Sequence, residues 1–108
     1  MNIPESILRK ARLASKLTEE QFTEYLIQLQ REAEVYCLNF FITNEVSEEV
    51  LALCIDLYVQ YSLFSKIEYE DIGRDKLDTL HSIIASFNAN YEKKTPIIAK
   101  GVRFIWLA

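Results

Sequence analysis

His81, Cys37 and Cys54 are the side chains best suited to nucleophilic, acid–base or metal chemistry in this sequence, yet their placement argues for structure instead. The lone histidine falls beside the apolar stripe of a helical pattern, where a hydrogen-bonded structural role is expected. No Ser or Cys stands in a recognisable nucleophile motif beside it. Both cysteines lie inside apolar helical patterns, where a thiol packs as a small hydrophobe, so free core thiols are predicted. Two isolated Cys with one His make neither a zinc ligand set nor a secreted disulfide framework. The acids Glu68, Glu70, Asp71, Asp75 and Asp78 crowd together, but without the glycine and closing Glu in the register of an EF-hand loop. They read as a solvated loop. Neither glycine belongs to a phosphate-cradling motif. The expectation is a protein that is not an enzyme, with no cofactor and no metal.

The elements that carry these residues are helical. The chain has 108 residues, half of them apolar, with only two Gly and two Pro, and its apolar positions recur at spacings of three and four. One domain over 1–108 is expected, all-α, a small bundle of about four helices with a short C-terminal extended segment or strand. A basic first helix over 1–16 begins at Pro4, with a thin stripe of Ile7, Ala11 and Ala14. A helical core over 17–94 follows. Thr18 is placed to cap the second helix, whose stripe is Phe22, Leu26, Leu29, Ala33, Tyr36 or Cys37, and Phe40. Ser47, followed by Glu48 and Glu49, caps a third helix running to about Ser65. A polar connection from Glu68 to Gly73 leads to a fourth, with stripe Leu77, Leu80, Ile84, Phe87 and Tyr91, ended near Lys94 by Pro96.

The third helix reads VLALCIDLYVQYSLF from Val50 to Phe64, apolar around nearly its whole circumference. Such a helix needs cover on several sides, and cover from so short a chain is hard to arrange, which points to a partner or a second copy. Tyr58 and Tyr61 carry polar tips and are expected either at the rim of that surface, as a subunit interface, or in ordinary core packing. The apolar tail over 95–108 contains Val102, Arg103, Phe104, Ile105 and Trp106, the predicted partner-binding residues. It either folds back on the helices or adds to another protein as a strand.

Charge is segregated. Residues 1–16 carry Arg9, Lys10, Arg12 and Lys16 against Glu5, for +3, while 17–49 carry eight acids against Arg31, for −7. Residues 50–78 sum to −3 and 79–108 to +3, giving the net −4. An acidic body repels the DNA backbone and argues against sequence-specific DNA reading. The basic ends, Arg9 and Arg12 among them, suit an acidic protein surface such as the middle of a neighbouring copy. No apolar run nears the length of about 18 residues that spans a membrane, and the first residues lack a signal-peptide core. Synthesis in the cytosol is expected.

The segments EAEVYCLNFF and VSEEVLALCIDLYVQYSLF, in this order, resemble the small head-to-tail connector, or adaptor, proteins of tailed bacteriophages. The likeness covers roughly Leu17 to Ser65. The loop after the third helix is shorter than in that family and has no glycine-rich stretch, and VRFIWLA is more apolar. The resemblance implies a helical subunit that forms a homo-oligomeric ring of about a dozen copies beneath the portal protein. That ring would extend the DNA channel without reading sequence, seat a stopper or tail protein, and stand in the virion neck after synthesis in the host cytoplasm. The competing expectation is a small helical regulatory or inhibitor protein acting as a monomer or dimer by protein–protein binding.

Overall fold

The computed structural model describes residues 3–94, which fold as four helices: α1 (Glu5–Ser15), α2 (Glu19–Phe40), α3 (Glu48–Lys66) and α4 (Glu70–Lys94). Among the described residues there is no strand, and the fold is an all-α bundle. The expected strand or extended tail, and the partner-binding residues Val102 to Trp106, lie outside the described residues.

Local chemistry sets the helix ends. Thr18 and Gln21 form a reciprocal capping box at the start of α2: Gln21 N–H donates to Thr18 Oγ1 at 3.2 Å and Thr18 N–H to Gln21 Oε1 at 3.1 Å. Each such cap contributes about 1 kcal/mol. Ser47 Oγ accepts from Val50 N–H at 3.2 Å to start α3. Lys16 closes α1 with a left-handed φ of 57° and donates back to the carbonyls of Arg12 and Leu13.

The α3–α4 turn departs from the sequence expectation. Its reversal is taken by Glu68 at φ 66°, and α4 begins at Glu70, which places Gly73 inside the helix instead of the connection. Gly73 is there because the helices nearly touch: a Cβ on it would stand 3.0 Å from the Tyr61 carbonyl oxygen and 3.3 Å from Ser65 Oγ. A glycine that looks like loop punctuation is in fact a packing contact.

α3 is the hub of the bundle, packing against α1, α2 and α4. The apolar girth that suggested a need for outside cover is therefore met on three sides by the chain itself. The core forms two clusters along the bundle. Ile3, Ala11, Phe22, Leu29, Ala33, Val59 and Leu63 join α1, α2 and the end of α3. Cys37, Phe41, Cys54, Leu57, Leu80 and Ile84 join the end of α2, the start of α3 and α4. Tyr58 packs against both.

Candidate interaction surface

Where α2 crosses α3, the side chains Arg31, Glu32, Val35, Tyr36, Asn39 and Tyr58 line an open groove of about 530 Å³. Its floor is aromatic. The Tyr36 and Tyr58 rings lie 4.6 Å apart between centroids, and Tyr58 continues to Tyr61 at 5.9 Å. On the other side Tyr36 meets Phe40 at 5.0 Å, and Phe40 presents its ring edge-on to His81 at 5.1 Å. The four helical-spacing positions Tyr36, Phe40, Tyr58 and Tyr61 thus form one aromatic band with His81 of α4 at its end.

Several contacts hold this band in place. The Tyr36 hydroxyl shares a hydrogen bond of 2.9 Å with His81 Nε2, which accounts for the histidine structurally. Directly behind Tyr36, Cys37 is fully buried beside Cys54, and both thiols are free. Their mutual hydrogen bond and burial push the Cys37 thiol up, while the same hydrogen bond pulls Cys54 down against its burial, and the two remain free core thiols as expected. Asn88 rivets the far end: its Nδ2 donates to the Phe40 carbonyl at 2.9 Å, and the Ile42 N–H donates to its Oδ1 at 3.1 Å. Tyr91 adds a hydroxyl hydrogen bond to Glu45 Oε1 at 3.1 Å. Asparagine is a weak helix former, and here Asn88 of α4 uses its side-chain amide to cap the end of α2.

The surface itself is unfinished. Val35 is 61% exposed and Phe40 45% exposed, although both sit among aromatic rings that are half-buried. Burial raises the pKa of Tyr36 and Tyr58 above the ordinary 10.0, with the Glu32 carboxylate adding to the effect on Tyr58. The phenols are therefore neutral donors at physiological pH, held in a partly dry setting with a carboxylate at the rim. Rigid aromatic faces with polar tips are the groups that anchor protein–protein contacts.

The sequence-predicted interface residues do not all meet here. Tyr58 lines the groove and Tyr61 extends it, whereas Arg9 and Arg12 line a separate notch between α1 and α2, alongside Glu5 and Glu19. Arg12 is already engaged, its guanidinium reaching the Leu17 carbonyl at 3.4 Å. Tyr36, Phe40, Val35 and Glu32 were not singled out from the sequence as interface residues. The signal was present in Tyr36 and Phe40, an i, i+4 pair ending one helix, facing Tyr58 and Tyr61, an i, i+3 pair in the next. The acids Glu68, Glu70, Asp71, Asp75 and Asp78 are exposed along the turn and the first turns of α4, and no three metal-ligating side chains converge among the described residues. No described helix is long and apolar enough to cross a membrane.

No family model matches this chain, and neither does a curated protein or a solved structure.

Proposed function

We propose that this protein is a non-catalytic assembly subunit that works by binding copies of itself and neighbouring proteins. We propose further that its setting is the head-to-tail connector of a tailed bacteriophage, as a ring of about a dozen copies between the portal and a stopper or tail protein. The observation that carries the reading is the aromatic groove of Tyr36, Tyr58 and Val35, partly dry, rigidly backed and open at the surface. Surfaces of this composition gain affinity when a partner removes them from water. The acidic middle of the chain supports a lumen that DNA traverses without adhering. The resemblance of residues 17–65 supports the phage setting, with the virion neck as location.

One observation favours the second reading, a monomeric or dimeric regulatory or inhibitor protein. With α3 covered by α1, α2 and α4, the subunit has less surplus apolar surface than its sequence suggested.

Tyr61 separates the two. It belongs to neither apolar cluster, so Tyr61→Glu is expected to keep the helical circular dichroism of the native protein while abolishing large oligomers. Oligomers unchanged in the variant would remove this face from the account. A native protein that stops at a dimer would favour the regulator.

A further inference from the structure

The groove on α2 and α3 has an opening and a chemistry, and the same chain carries a segment that suits both. We propose that the occupant of the groove is the C-terminal segment of a second copy, residues 97–107, so that each subunit gives its tail to one neighbour and takes the tail of another. The inference rests on the assembly reading above and names the segment that performs it.

Charge supports the pairing. Residues 95–108 contain Lys100 and Arg103 and no acid, and they follow Lys93 and Lys94. The groove has Glu32 on its lining, and Glu34 is exposed nearby on α2, against the single cation Arg31. Apolar matching supports it as well. Phe104, Ile105, Trp106 and Leu107 need cover, while Val35 and Phe40 stand largely uncovered beside half-buried tyrosines. An aromatic or aliphatic anchor set into an aromatic groove, ringed by charge, is the arrangement that concentrates binding energy.

The point of departure lies beyond the chain's own groove and puts a neighbour's groove within reach of the segment. Asn88 and Tyr91 fasten the last turns of α4 beside Phe40, Ile42 and Glu45, at the α2–α3 turn. His81 touches the aromatic band, and Lys94 ends α4. Helix between those two residues covers roughly 20 Å, so the chain leaves α4 well past its own groove and heading away from it. Pro96 has no N–H for a further helical hydrogen bond. Residues 97–107 extended would reach roughly 35 Å, enough to enter an adjacent copy. A contact that joins a tail on one surface to a groove on another is head-to-tail, and head-to-tail contacts close into rings when the rotation per subunit divides a circle.

Trp106 is the only tryptophan in the chain, and its emission reports whether the segment is buried. In the native full-length protein the emission is expected to shift to the blue as concentration rises, in step with the native mass. Full-length Val35→Glu, altered at an exposed groove position, and full-length Trp106→Glu are each expected to remain monomeric with unchanged helicity. Mixed, they are expected to form one-to-one pairs, because the first still offers a tail and the second still offers a groove. The only tryptophan in that mixture then shifts to the blue on pairing. Blue emission at every dilution would place the segment on its own chain and overturn the proposal. Oligomers in which Trp106 stays fully solvated would overturn it while leaving the assembly reading intact. A native protein that never oligomerises would remove both.

Discussion

Tyr58 and Tyr61 stand one turn apart on α3 and have different duties. Tyr58 packs against both apolar clusters, while Tyr61 belongs to neither and meets the Tyr58 ring edge to face. Truncating Tyr58 to Ala removes the joint between the clusters and is expected to cost about 3 kcal/mol in urea unfolding, against under about 1 kcal/mol for Tyr61→Ala. Equal losses would mean that Tyr61 is a core residue and unsuited to an interface. Cys54 is fully buried, so a serine hydroxyl in its place would be more polar than the thiol and taken from water, and Cys54→Ser is expected to lower stability by about 1–3 kcal/mol without altering oligomeric mass. The tyrosines also set an alkaline limit. Tyr25, Tyr36 and Tyr58 all have folded pKa values raised above 10.0, chiefly by burial. The folded state holds their protons more tightly than the unfolded state does. Their stabilising contribution is therefore complete below pH 10.0 and is lost as pH climbs through the raised folded values. Urea midpoints that fall above that pH in the native protein, and fall less steeply in Tyr58→Phe, would bear this out. A midpoint indifferent to alkali would contradict it.

At the scale of the helices, the strongest sequence signals lay in the caps and stripes. Thr18 and Ser47 cap the helices they were expected to cap; of the expected α2 stripe, Phe22, Leu29, Ala33 and Cys37 are buried, Leu26 is half-buried, and Phe40, at the helix end, is exposed instead. Those features are local, so a sequence displays them. The start of α4 was misjudged because Gly73 signals a loop only if nothing packs against it, and what packs against it, Tyr61 and Ser65, lies on another helix. Two substitutions test that turn. Gly73→Ala gains about 1 kcal/mol of helix propensity but sets a methyl 3.0 Å from the Tyr61 carbonyl, and a net loss of about 1 kcal/mol is expected. Glu68→Gly relieves a left-handed residue and is expected to gain up to about 1 kcal/mol in thermal or urea unfolding. A stabilised Gly73→Ala would show that α3 and α4 part easily.

For the molecule as a whole, the sequence implied a surplus of apolar surface but not where it would be spent. The α3 helix is largely covered from within, and what remains open on it includes Leu53, half exposed, as well as the band on its border with α2. The site was only half legible for a related reason. Tyr58 and Tyr61 announce themselves on one helix, but their meeting with Tyr36, Phe40 and His81 joins residues far apart in the chain, and only the packed bundle supplies it. Arg9 and Arg12, expected at the same interface, lie instead in the α1–α2 notch. The central claim is that this open band makes the protein a subunit. Native mass of the full-length chain over a wide range of concentration tests it most directly. Assembly predicts growth from the 12.6 kDa chain to a discrete species about a dozen times as heavy. A monomer at every concentration would contradict it.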